Sequence, residues 1–147
     1  MAPKTIKYFS IAIAVALALF LLIQLVPYGR AHGNPPVVSE PKWDSPQTHD
    51  LAQRACFDCH SNATTWPWYS NVAPVSWLVY RDISEGRQRM NFSDWQNTYM
   101  RELGEISHVI SEGEMPPLQY LLMHSSARLS AAEKTQLIDG LQKTVGQ

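Results

Sequence analysis

Cysteine is scarce, with two residues in 147, and that excludes the multi-bridge framework of small secreted scaffolds. Charge is scarce at the N-terminal end, where Lys4, Lys7 and Arg30 are the only charged side chains before Glu40. The formal net charge of -1 is therefore unevenly spread: from Glu40 onward nine basic residues face thirteen acidic ones, a net of -4. An acidic soluble part disfavours nucleic acid as the partner. Alternating strand patterns and internal repeats are missing as well. Apolar residues are not scarce, at 45%, which excludes full disorder. The length allows one folded unit and hardly two.

The uncharged apolar run from Tyr8 to Val26 covers about 19 residues, or about 28 Å of helix, close to the roughly 30 Å hydrocarbon core of a bilayer. A cleaved secretory signal has a shorter apolar region and a small-residue cleavage site, for which Ala31 and Gly33, after Pro27 and Arg30, are a poor match. An uncleaved anchor is the reading adopted, with a cleaved signal as the alternative. Lys4 and Lys7 before the span outweigh Arg30 after it, so the N-terminus stays cytoplasmic and the rest faces outward. In a bacterium this describes a single-pass inner-membrane protein with its C-terminal domain in the periplasm. Pro35, Pro36, Pro41 and Pro46 favour extended backbone after the span. The expected organisation is an anchor over 1–28, a proline-rich stalk over 29–45 and a folded domain over 46–147.

That domain reads as all-α. Ser45-Pro46 is an N-cap followed by proline at the first helical position, with Leu51, Ala55, Cys56 and Cys59 at helical spacing behind it. A second helix is predicted from near Pro74 to about Gly86. A third is predicted from the Ser93/Gln96 capping-box pattern, with Trp95, Tyr99, Leu103, Ile106 and Ile110 as its stripe and Gly113 as its stop. Ser130 and Glu133 repeat the box before a last helix carrying Leu137, Ile138, Leu141 and Val145. Long loops are expected around 61–73 and 113–118.

Both cysteines fall in Cys56-Phe57-Asp58-Cys59-His60, the C-x-x-C-H attachment pattern for c-type haem. Two thiols three residues apart at a helix end can each add across one haem vinyl group, and the next residue then lies under the iron. Three other readings stay open: a redox pair, which would want a thioredoxin-like setting, a zinc site recruiting His108 or His124, and a structural Cys56–Cys59 disulfide. A second axial ligand would decide between electron transfer and ligand chemistry. Met115 in Gly113-Glu114-Met115-Pro116-Pro117 is the best candidate, because two prolines stiffen the loop that carries a floppy thioether. His124 is the next candidate. Met90, Met100, Met123 and His108 lie in or near helices, and His32 and His49 lie close to the stalk and the first turn.

Trp66, Pro67, Trp68 and Tyr69, with Trp77 and Tyr80 shortly after, are dense for a loop, and their rings are candidates for packing on a cofactor, with core filling as the equal alternative. A carbonyl of Pro67 or Pro74 is a candidate acceptor for the second ring N–H of His60. Arg81, Arg87 and Arg89 are candidate propionate partners.

Ala55-Cys56-Phe57-Asp58-Cys59-His60-Ser61-Asn62, Trp66-Pro67-Trp68-Tyr69-Ser70, Ala73-Pro74-Val75-Ser76-Trp77-Leu78-Val79, Asn91-Phe92-Ser93 with Trp95, Gly113 with Met115-Pro116-Pro117, and Leu129-Ser130 with Glu133 together resemble the bacterial haem-binding domain proteins, a membrane-anchored branch of cytochrome c-like proteins. The resemblance covers about residues 27 to 141. It implies one covalent haem c on Cys56 and Cys59, iron on His60, and a cytochrome c-like helical fold whose first and last helices pack together. Small cytochromes c usually carry an aromatic residue where those helices cross, whereas this segment reads Leu137-Ile138-Asp139-Gly140-Leu141. The expected function is one-electron transfer through a His60 and Met115 iron to an unknown redox partner, without an enzymatic reaction. The alternative is a haem-based sensor or peroxidase-like protein with an open or displaceable sixth position.

Overall fold

A computed structural model describes residues 3–98 and 103–146. Among them are seven α-helices and no strand: α1 (Pro3–Ile23), α2 (Pro46–Ala55), α3 (Phe57–His60), α4 (Val75–Arg89), α5 (Leu103–Ser111), α6 (Leu118–Met123) and α7 (Ala131–Val145). The chain divides into two compact units, one of Met1–Gly33 with Trp66–Arg81 and one of Asn34–Thr65 with Asp82–Gln147.

In the first unit, Thr5–Ile23 of α1 is the one described helix long and apolar enough to cross a membrane, with a mean hydropathy of 2.5 and none of it buried within the protein. The segment that follows is held by the residues from 66 to 81. Gln24 bonds both backbone groups of Ala73. Tyr28 meets Tyr80 edge to face at 5.3 Å, and His32 stacks on Trp66 at 4.4 Å while its Nε2 lies 3.1 Å from the Ser70 carbonyl.

The second unit is built by α2, α5 and α7, with α7 packed against both others. Ser45 caps α2 as its sequence predicts, its hydroxyl accepting from Thr48 N at 3.2 Å, with Pro46 opening the helix. The Ser130/Glu133 box opens α7 with both reciprocal bonds made. The two helices cross where Gly140 of α7 meets Thr48 of α2; a Cβ on Gly140 would overlap the threonine hydroxyl and lie 2.6 Å from its Cγ2. The crossing is therefore made by close backbone approach, with no large side chain between the two helices. Leu51, Ala52, Phe57, Phe92, Ile110, Leu137 and Leu141 form the core, flanked by Trp43, Met90, Trp95, Ile106 and Val109.

Three expectations change. α4 runs through Gly86 to Arg89 instead of ending at the glycine, because Gly86 serves a close contact described below. Ser93 and Gln96 open no long helix: Trp95–Asn97 is a single 3-10 turn closed at Thr98, and the Ser93 hydroxyl accepts from Asn62 N at 3.0 Å. Tyr99 and Met100 lie outside the described residues. The stretch read as a stalk is extended, yet from Asn34 it is bonded onto the domain. Asn34 Nδ2 donates to the Thr64 carbonyl, the Pro36 carbonyl accepts from Asn62, Ser39 bridges Asp94, and Trp43 joins the aromatic stack on Phe92.

Candidate haem site

α2 ends as its last carbonyls are used to turn the chain. Cys56 N donates to the Ala52 carbonyl at 2.8 Å, and the Cys56 carbonyl accepts from Cys59 N at 3.1 Å and His60 N at 2.8 Å. This compact turn, α3, puts Cys56, Cys59 and His60 on the wall of one cavity of about 660 Å³, within the roughly 300–1,000 Å³ range of ligand pockets. Ile106, Val109 and Ile110 of α5, Leu141 of α7, and Met115, Pro116, Pro117 and Tyr120 complete much of the lining. A second cavity of about 650 Å³, between α2 and α7, carries no thiol or imidazole.

The C-terminal half of α4 fixes the motif from behind. A Cβ on Gly86 would lie 2.5 Å from the Cys59 carbonyl oxygen and 3.1 Å from its carbon. Only glycine lets α4 lie this close. One turn on, the Met90 carbonyl receives a hydrogen bond from His60 Nδ1 at 3.0 Å. The acceptor is thus Met90, and not Pro67 or Pro74 as the sequence suggested; both prolines fall in the other unit. A carbonyl can only accept, so Nδ1 carries the proton in the neutral ring and Nε2 keeps its lone pair. Burial pushes the imidazole pKa below its ordinary value, partly opposed by the Met90 carbonyl, so the ring is neutral at neutral pH. That is the form in which histidine binds a metal.

Cys56 and Cys59 are free thiols. Burial, then the neighbouring Cys59, pushes the Cys56 pKa up to about 12. Burial, then Asp82 and Asp58, pushes Cys59 up to about 12. Both are protonated at neutral pH, the opposite of the lowered pKa that marks a redox-active pair. Among the described residues no group of three or more His, Cys, Asp and Glu side chains is placed to hold a metal ion, and His108 is exposed. The zinc reading therefore finds no site there.

Met115 reaches the cavity from the loop after α5. Gly113, at φ 76°, ends that helix, and the Val109 carbonyl then accepts from both Glu114 N at 2.9 Å and Met115 N at 3.0 Å. Met115 remains 39% exposed. Met90 also lines the cavity, but it packs on the core and its carbonyl holds His60. Met123 is exposed, and His124 stacks on Tyr120 at 3.9 Å. Tyr120 itself escaped the sequence reading: its hydroxyl donates to Asp58 Oδ2 at 2.7 Å, tying α6 to the middle of the C-x-x-C-H motif across 62 residues. No local pattern signals that pair.

The aromatic candidates are not among the residues that line this cavity. Trp66, Trp68, Tyr69 and Trp77 all belong to the unit that contains α1. Trp68 is exposed, Trp66 stacks on His32, Tyr69 meets Trp68 edge to face at 5.8 Å, and the buried Trp77 indole nitrogen has no hydrogen-bond partner among the described residues. Of the arginines, Arg89 lines the cavity, whereas Arg87 donates to the Ser61 carbonyl, Thr64 Oγ1 and Asn34 Oδ1. Arg81 lies with the aromatic residues. His49, half-buried, sits edge-on to Trp43 and Phe57.

The donor set suits haem: two free thiols at the attachment spacing, a neutral imidazole with Nε2 unprotonated, a thioether, and an apolar wall, all on one cavity. A family model for a haem-binding domain matches residues 18–143 of this chain. No curated protein and no solved structure matches it.

Proposed function

We propose that this chain, which belongs to the haem-binding domain family, is a membrane-anchored c-type cytochrome that passes single electrons on the outer face of a bacterial inner membrane. Haem attached through Cys56 and Cys59 supplies a one-electron iron couple, whose potential follows from its ligands and its burial. The observation that carries the reading is the convergence of Cys56, Cys59, His60 and Met115 on one cavity. His60 presents Nε2 as the iron ligand, because Met90 holds the Nδ1 proton. Met115 is the second ligand, and its backbone is anchored to the end of α5 by Val109. Ile106, Val109, Ile110 and Leu141 give the cavity an apolar wall, which favours the less charged state of the centre. α1 keeps the domain near membrane redox partners and raises its effective concentration there. Lys4 and Lys7 on the other side of the span orient the domain outward.

The 39% exposure of Met115 favours one alternative, a displaceable sixth position that admits a small ligand. The test is an absorption spectrum and a haem-stained denaturing gel of the full chain, made with c-type maturation machinery. The expected result is haem that survives denaturation and a weak far-red ferric band that disappears in Met115→Ala but persists in Met90→Ala. A high-spin ferric spectrum with covalent haem would transfer the assignment to ligand binding. Haem lost on denaturation would overturn covalent attachment.

A further inference from the structure

From Ser61 to Tyr80 the chain carries no charged side chain, and the second part of that run, from Trp66, is grouped with the membrane anchor. We propose that Trp66–Tyr80 is a second membrane-contacting element, seated in the interfacial layer of the outer leaflet with Trp68 turned to phospholipid. The inference rests on α1 spanning the bilayer.

Depth is set by Gln24, the first residue past α1. Its Nε2 turns back to the Phe20 carbonyl at 3.0 Å and also donates to the Ala73 carbonyl at 2.9 Å. Its Oε1 accepts from Ala73 N at 3.0 Å and from Arg30 Nη2 at 3.0 Å. One amide therefore links Ala73 to Phe20, in the last turn of the span, about 4.5 Å inside Ile23 at the helical rise. Ala73 is fully buried, and both its backbone groups are satisfied by that single side chain. Such complete pairing is what backbone requires where water is sparse.

The chain beyond Gln24 stays bound to the same segment through Tyr28 on Tyr80 and His32 on Trp66. Residues 66–80 thus cannot lift away from the span exit without breaking these contacts. Their outer surface suits lipid: Trp68 is 74% exposed and Val75 and Leu78 about 40%, beside Leu25 at 78%. Tryptophan, with an apolar body and a polar N–H, concentrates at the level of the headgroups. The occupant is a bilayer because this surface continues the apolar surface of α1 itself.

The test is photolabelling of the full haem-loaded chain in phosphatidylethanolamine and phosphatidylglycerol vesicles containing a phospholipid with a diazirine high on its acyl chain, with adducts mapped by mass spectrometry. Adducts on both α1 and Trp66–Tyr80 are expected. Trp68→Ser should lower the yield on Trp66–Tyr80 several-fold and leave α1 unchanged. Adducts on α1 alone would overturn the inference while leaving the anchor intact. Adducts on neither segment would overturn both, and a yield unaffected by Trp68→Ser would remove Trp68 as the contact.

Discussion

Replacing Gly86 with alanine sets two effects of opposite sign against each other. The residue lies inside α4, where helix propensity alone favours alanine by about 0.8–1.0 kcal/mol. Against that, the new Cβ would stand 2.5 Å from the Cys59 carbonyl oxygen and 3.2 Å from Cys59 Cβ, where ordinary contact begins at 3.4 Å. The obstacle is backbone and cannot rotate away, so α4 and the C-x-x-C-H turn must separate by roughly 1 Å to restore normal contact distances. Overpacking of this kind costs about 1–3 kcal/mol, and a backbone obstacle belongs at the upper end, so the variant should be destabilised by about 1–2 kcal/mol after the propensity gain. For a domain of this size that corresponds to a fall in Tm of at least about 5 °C. The same separation acts on His60: its 3.0 Å bond to the Met90 carbonyl cannot survive roughly 1 Å of stretch. Urea denaturation of the full haem-loaded chain in detergent, followed by far-ultraviolet circular dichroism and by haem absorption, measures both effects. A Gly86→Ala protein more stable than the parent, with an unchanged haem spectrum, would refute the close packing of α4 on Cys59.

Tyr120→Phe removes the charge-assisted bond to Asp58 that ties α6 to the haem motif and should destabilise the domain by about 1 kcal/mol, reduced from the value for a buried bond by partial exposure. A double-mutant cycle with Asp58→Ala should return a coupling of similar size, and strictly additive losses would show that the bond contributes nothing. Glu133 gives a pH signature: the Ser130 backbone N–H first, then Arg54, hold its carboxyl down at about 2 against an ordinary 4.5. A depressed acid stabilises the folded state above its unfolded pKa and loses that contribution as pH falls through the folded one. The stability difference between the parent and Glu133→Gln should therefore be full above about pH 5 and shrink between 4.5 and 2. A difference independent of pH across that window would show that the Ser130 and Arg54 contacts do not select the charged form.

Features whose physics is local were legible from residue order. The apolar run of α1 reports its length directly, the caps at Ser45 and Ser130 involve residues three apart, and the C-x-x-C-H spacing places two thiols and an imidazole on one helical turn. The same locality explains the misreadings. Ser93 looked like a cap because a hydroxyl before a polar residue usually serves its own turn, but here it serves Asn62, 31 residues away. Gly86 looked like a helix stop because glycine is costly inside helices, and only the neighbouring Cys59 backbone explains why the helix keeps it.

Residue order by itself thus determined the N-terminal apolar helix, the helical class, the C-x-x-C-H motif and Met115 as the donor to examine, since each rests on composition or on spacing within a turn or two. Tertiary structure alone decided the rest. It chose Met90 to hold the His60 proton, joined Tyr120 to Asp58, brought Met115 to the same cavity wall as His60, and clipped Ala73 to Gln24. A carbonyl or an amide is present at nearly every position of a chain, so its chemistry says nothing about which partner it will meet. Only the packing of distant segments makes that selection.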